Sequence, residues 1–87
     1  METLIAKRTC TDEAGTELEF EYRLINQRII YDGIPCEDFG ICVRSREDTV
    51  RIPSVTTDRE RMAELMHLLI RNCVTPVSLP YIIEDWL

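Results

Sequence analysis

The side chains best suited to chemistry in this 87-residue sequence are its four cysteines, Cys10, Cys36, Cys42 and Cys73. Thiolates act as nucleophiles, and Cys36 and Cys42 lie close in sequence to the carboxylates of Glu37 and Asp38. One hypothesis is therefore a small thiol-dependent enzyme with Cys36 or Cys42 as nucleophile. Neighbouring anions disfavour the thiolate, so the local charge argues against this chemistry. We predict no catalytic residue and lean towards a protein that is not an enzyme.

A structural zinc site is the second hypothesis for the thiols. Cys36, Cys42 and Cys73 would need only one further ligand to hold zinc. However, no C-x-x-C pair is present, and the only histidine, His67, forms no recognised metal-binding spacing with Cys73. We predict no metal ligand and no cofactor. Because no export signal is visible at the amino terminus, we expect reduced thiols rather than disulfides.

The charge balance narrows the classes of partner. The chain has 16 acidic and 10 basic side chains, a net charge of −6. Such a chain repels phosphates and anionic lipid headgroups, so we expect neither nucleic acid nor a membrane surface as a partner. No apolar run approaches the ~20 residues that span a bilayer. Because no export signal is visible, a cytoplasmic location is expected.

The clearest structural pattern is the strict alternation of charged and apolar residues from Glu17 to Leu24. This period is typical of a half-buried β-strand. It predicts one apolar row facing the core, made of Leu18, Phe20, Tyr22 and Leu24. The segment Thr3–Cys10 has strand character, and Gly15 can close a hairpin loop between the two strands.

The register of this first hairpin follows from matching apolar with apolar side chains and base with acid. The favoured register pairs Leu4 with Leu24, Ala6 with Tyr22 and Lys7 with Glu21. A slip by one residue, which sets Ile5 against Tyr22, stays open as an alternative.

Two further strands are predicted by alternation. Phe39, Ile41 and Val43 indicate the third strand, and Val50 with Ile52 indicates a short fourth strand that Pro53 should end. The intervening segment Ile29–Tyr31 is expected to be a short edge strand or an ordered loop. Pro35 argues against a central strand there.

Two helices should follow the strands. Thr57 and Glu60 fit a capping box at the start of the longer helix, which should end near Asn72 or Cys73. Its apolar stripe is Met62, Leu65, Met66, Leu69 and Cys73, widened by Leu68 and Ile70. On the opposite face, His67 is expected to be exposed, near Glu64.

A second, short helix is predicted within 77–87, with Ser78 as its cap. Its apolar face, Leu79, Ile82, Ile83 and Trp86, should dock on the sheet beside the longer helix. The predicted fold class is α+β, in a single domain of residues 1–87. We expect two layers, with an antiparallel sheet of three to four strands covered on one face by a long helix and a short C-terminal helix.

A resemblance rests on three stretches: Tyr22-Arg23-Leu24, residues 39–43, and residues 76–87, which read PVSLPYIIEDWL after a leucine-rich helix. The chain is similar from Tyr22 onward to a family of short, uncharacterised bacterial proteins, classed as a domain of unknown function. The resemblance implies a bacterial origin and a cytoplasmic location. It implies no catalytic residues.

The function favoured by these observations is a small non-enzymatic interaction or regulatory module. Tyr81, Ile82 and Trp86 on the second helix are the candidate partner-binding residues. Burial of Tyr81 and Trp86 in the chain's own core is the competing interpretation, and it is favoured. The expected partner is an unidentified protein or a second copy of the chain.

Overall fold

A meander of four antiparallel strands forms the sheet of the computed structural model, which describes residues 1–87. The strands are β1 (Glu2–Thr11), β2 (Glu17–Tyr31), β3 (Ile34–Arg44) and β4 (Thr49–Thr56), each paired with the next along the chain. Two helices follow, α1 (Arg59–Arg71) and α2 (Leu79–Trp86). The predicted α+β class is confirmed with four strands, although the helix predicted to be long has only 13 residues.

The first hairpin follows most of the predicted register. Ala6 lies opposite Tyr22, and Gly15 adopts a φ of +82°, the left-handed region that suits glycine. The predicted pairing of Leu4 with Leu24 is wrong, because an irregularity between Leu4 and Ala6 shifts the register by one. Leu4 therefore faces Arg23, as expected for a bulge that adds one residue to β1.

The second hairpin extends further than expected. Ile29–Tyr31 is neither a separate edge strand nor a loop, because β2 continues without a break to Tyr31. Asp32 and Gly33 have φ values of +54° and +74°, which is the geometry of a type I′ two-residue hairpin turn. Beyond Asn26 on β2 and Phe39 on β3, neither β1 nor β4 pairs with these strands. Residues 27–38 therefore form a two-stranded projection, called the ribbon below.

Pro53 does not end β4, which continues to Thr56. The register of β3 and β4 shifts between Phe39 and Ile41, so the strand accommodates Pro53 at a bulge on the sheet edge. The backbone of Pro53 lies directly over Gly40, where an added Cβ would meet the Pro53 carbonyl carbon at 2.3 Å. Only glycine fits at position 40 without moving β4.

Asp58, and not Thr57, caps the longer helix. Its carboxylate accepts hydrogen bonds from the backbone N–H groups of Glu60 at 3.0 Å and Arg61 at 3.2 Å. Thr57 therefore plays no part in a capping box. At the other end the helix stops at Asn72, and the Val74 N–H donates back to the Leu69 carbonyl at 3.1 Å. This closure turns Val74 into the core.

The core joins side chains from β2, β3 and both helices. Phe20 and Tyr22 are buried as predicted, whereas Leu18, near the end of the sheet, is 39% exposed. The Tyr22 hydroxyl donates to the Val74 carbonyl at 2.9 Å, and burial raises the pKa of Tyr22 to about 12. The buried cluster is Phe20, Tyr22, Phe39, Ile41, Val43, Met62, Leu65, Met66, Leu69, Val74, Leu79 and Ile83.

A covalent link ties β1 to the end of α1. Cys10 and Cys73 form a disulfide with Cα atoms 6.5 Å apart, so the expectation of reduced thiols is wrong for this pair. Arg8, two residues earlier on β1, donates to the Ile70 and Arg71 carbonyls at 2.9 and 3.3 Å. These carbonyls are helix-end acceptors, which cationic donors stabilise.

Candidate functional site

The three cysteines of the zinc hypothesis do not converge. Cys73 is bonded to Cys10, Cys36 lies on the ribbon, and Cys42 is buried within the sheet. No group of three or more histidine, cysteine or carboxylate side chains is placed to hold a metal ion. The grouping of Cys36, Cys42 and Cys73 as a zinc site is therefore wrong.

Cys42 is surrounded by charged side chains on the sheet surface. The Glu2 carboxylate lies 3.6 Å from Arg23 and 3.5 Å from Arg51, and these groups lie around the thiol. Burial raises the pKa of the Cys42 thiol, the Glu2 carboxylate raises it further, and the two guanidinium groups partly oppose this. A thiol held protonated in this way is a poor nucleophile. The geometry gives no support to Cys42 as a catalytic residue.

The two carboxylates next to Cys36 have structural partners. Glu37 forms an ion pair with Arg59 at 2.5 Å, and Arg59 also stacks over the Phe39 ring, 5.2 Å from its centroid. Neither Glu37 nor Asp38 has a hydrogen bond to Cys36. The ion pair with Glu37 and the stacking on Phe39 therefore hold Arg59, at the start of α1, against β3.

Asp38 anchors the base of the ribbon. It is the one buried charged residue, 4% exposed, and accepts hydrogen bonds from the Ser54 hydroxyl at 2.5 Å and the Gln27 amide at 3.4 Å. Ser54 and Asp38 are joined directly, and no histidine takes part in their hydrogen bonds. The pair connects β4 to the point where the ribbon leaves the sheet.

The ribbon exposes large apolar side chains. Ile30, Tyr31 and Ile34 are 75%, 72% and 65% exposed, and none of them contributes to the buried core. Cross-strand pairs share one face of a hairpin, so the register assigns side chains to its two faces. One face combines the pairs Ile29–Cys36 and Tyr31–Ile34, and the other carries Ile30 with Pro35.

The predicted contact residues on α2 differ in how far their side chains are buried. Tyr81 is 69% exposed. Ile82 and Trp86 are half-buried against the core cluster, and the Arg61 guanidinium lies 4.3 Å from the centroid of the Trp86 ring. Leu79 and Ile83 are buried, as predicted for the docking face. Of the three candidates, only Tyr81 has most of its surface free.

A shallow apolar groove runs beside α1. Its volume is about 430 Å³, and eight of its ten lining residues are hydrophobic. Leu24 and Met62 lie in its lining, and Arg59 and His67 are its polar members. His67 is exposed, as predicted from the helical spacing. The groove adds a concave surface that the alternation patterns did not indicate.

Neither helix is both long and apolar enough to cross a membrane. The fold and these surfaces define a small α+β protein with an antiparallel meander, two packed helices and a projecting apolar ribbon. The chain belongs to a family of unknown function (DUF6514), whose model matches residues 1–87. The predicted membership of a family of unknown function is thereby confirmed. No curated protein and no solved structure matches the chain.

Proposed function

We propose that this protein is a non-enzymatic interaction module that binds another protein chain through the ribbon, residues 27–38. One observation carries the proposal: Ile30, Tyr31 and Ile34 are 65–75% exposed on a segment that adds nothing to the core. Contiguous exposed apolar side chains mark interaction sites in soluble proteins. The ribbon has a regular two-residue turn and a continuous antiparallel register, which hold these side chains in fixed positions on its surface.

The arrangement of layers supports the same proposal. We place both helices on the sheet face that carries Phe20, Tyr22 and Ile41, because these side chains share one buried cluster with Leu65 and Leu79. This two-layer arrangement leaves the ribbon outside the packed body. The cytoplasmic, bacterial setting expected from the sequence belongs to the proposal as well. The Cys10–Cys73 disulfide argues against the cytoplasmic part, since such bonds persist mainly in oxidising compartments.

Because Tyr81 is exposed, the proposal includes a second contact surface on α2. The two surfaces can be separated because Tyr81 lies on α2, whereas Tyr31 and Ile34 lie at the ribbon turn. A tagged full-length chain would be compared with Tyr31→Ser/Ile34→Ser and with Tyr81→Ser in affinity capture from native cells. Circular dichroism would first show that each variant is folded.

We expect the ribbon variant to lose the proteins that the wild-type chain retains, including untagged copies of itself, while Tyr81→Ser retains them. Loss only in Tyr81→Ser would move the contact surface to α2. Equal retention by all three chains would refute an interaction through either surface.

The groove beside α1 supports a second candidate function, the binding of a small apolar molecule. Its lining is apolar except for Arg59 and His67, and it contains no carboxylate. The anionic dye ANS is a suitable probe. Ala63→Phe would fill the groove, so it should lower ANS fluorescence, whereas the ribbon variant should not. Equal fluorescence with Ala63→Phe and wild type would refute this function.

A further inference from the structure

We infer that the partner of the ribbon is a second copy of this chain, an inference that rests on the proposed function. The contact would use the ribbon face formed by the cross-strand pairs Ile29–Cys36 and Tyr31–Ile34, called the apolar face below. None of these four side chains is charged, although 30% of the chain is. Charge depletion at the centre is typical of protein interfaces, where tyrosine is enriched.

The distribution of charge favours a second copy over an oppositely charged partner. The loops at 12–16 and 45–48 lie at the end of the sheet away from the ribbon turn, as the registers show. Four carboxylates belong to these loops: Asp12, Glu13, Glu47 and Asp48. A basic partner would bind at that acidic end.

Two copies that meet through their ribbons keep these acidic ends apart. The molecule is 51 Å along its longest axis, and exposed charges are largely screened beyond ~10 Å at moderate ionic strength. The net charge of −6 on each copy therefore opposes this contact less than it would oppose a contact through the acidic ends. Every copy also offers the same uncharged face.

The shape of the apolar face suits a two-fold axis. In a two-fold contact, if one residue of the first copy touches a given residue of the second, the same two residues also touch with the copies exchanged. Tyr31 is the largest side chain of the face and lies near the turn, and Cys36 is the smallest and lies towards the base. Two antiparallel ribbons related by such an axis would lay each strand over its own equivalent, so that Tyr31 of one copy meets Ile29 of the other and Ile34 meets the small Cys36 side chain.

The size of the face limits the affinity. A stable interface buries about 800 Å² on each partner, and a tyrosine contributes at most about 150–250 Å². Four side chains supply less than a standard interface. We therefore expect a concentration-dependent dimer with a dissociation constant in the micromolar range or weaker.

Sedimentation equilibrium on the full chain, from about 10 μM to 1 mM, tests this inference. The wild type should shift from monomer to dimer, and Tyr31→Ser should weaken the dimer at least about tenfold. Ile30→Ser is the matched control, because Ile30 is 75% exposed but lies on the other face of the ribbon. It should leave the dissociation constant unchanged.

The Cys36 thiol supplies an independent readout. Cys36 belongs to the apolar face, so its alkylation by a maleimide should slow as the protein concentration rises through the dimer range. Cys42 is 2% exposed and should stay unlabelled throughout. A Cys36 rate independent of concentration, in a chain that dimerises, would overturn the assignment of the face.

A wild-type chain that stays monomeric at 1 mM would overturn the second copy as partner. Affinity capture then separates the two failures. If Tyr31→Ser/Ile34→Ser loses another protein that the wild type retains, the interaction function stands without the second copy. If the wild type and this variant retain the same proteins, both proposals fail.

Discussion

The body of the sheet and the ribbon are built from the same two strands, yet they treat apolar side chains in opposite ways. In the body, Tyr22, Ile41 and Val43 are fully buried. In the ribbon, Tyr31 and Ile34 are 72% and 65% exposed, although their chemical types are similar. The difference lies in the neighbours, because β1 and β4 pair with β2 and β3 only as far as Asn26 and Phe39. Apolar residues in the body should therefore stabilise the fold, and those in the ribbon should not.

The sharpest test of this contrast compares two apolar truncations. Leu65→Ala should lower the free energy of unfolding by about 2–5 kcal/mol, because Leu65 is fully buried and its removal leaves a cavity. Ile34→Ala removes a side chain that is mostly in water and should change it by less than about 0.5 kcal/mol. Urea unfolding at concentrations where the chain is monomeric measures both. Similar losses in the two variants would contradict the division into body and ribbon.

The disulfide belongs to the body and should make the next largest contribution to the free energy of unfolding. Replacing both Cys10 and Cys73 by serine should lower the free energy of unfolding by about 2–4 kcal/mol, since the bond joins residues 63 apart in sequence. Wild-type protein in excess reductant is the matched control and should unfold at the same urea concentration as the variant. If reductant leaves the wild-type transition unchanged, the bond does not stabilise the protein.

Tyr22 makes the stability of the body depend on alkaline pH. Its pKa is about 12 in the fold and about 10 in an unfolded chain, so the folded state holds the proton more tightly. This contribution is fully present below pH 10 and is lost as pH rises through 12, by on the order of 2–3 kcal/mol. Tyr22→Phe lacks the ionisable hydroxyl and should show a flatter loss of stability over this interval. Parallel pH profiles for the two chains would be the contrary result.

The junction between body and ribbon should behave like the body, with a smaller effect. Ser54→Ala removes the closest donor to the buried Asp38 carboxylate and should cost about 1–3 kcal/mol. Gln27→Ala removes the donor at 3.4 Å and should cost less. Urea unfolding ranks the two variants. An equal or larger loss in Gln27→Ala would show that the ribbon strand, and not β4, holds Asp38.

The local sequence pattern predicted burial correctly where burial depends on residues that are close in sequence. The alternation around Phe20 and Tyr22 and the helical spacing of Met62, Leu65 and Leu69 predicted buried faces that the fold confirms. The exposure of His67 was predicted in the same way. The Asp32-Gly33 pair is a strong hairpin signal at the ribbon turn, whereas Pro35 is disfavoured in central strands and led to the expectation of only a short edge strand or a loop.

The candidate surface was harder to predict than the fold. The apolar composition of the second helix predicts Tyr81, Ile82 and Trp86 as contact residues, yet Ile82 and Trp86 lie half-buried against the core. Ile30, Tyr31 and Ile34 looked like ordinary strand residues. Strands and helices that are distant in sequence decide which apolar face is covered. The local side-chain period does not show how far those elements extend.

The α+β class, most of the first register and the buried faces of the strands and helices could be predicted from the sequence, since these depend on side-chain period and turn chemistry. The Cys10–Cys73 pairing, the accommodation of Pro53 at a bulge over Gly40 and the free ribbon became visible only in the folded chain. Each of these needs two segments to meet that are far apart along the chain. Their meeting is governed by the packing of the whole domain.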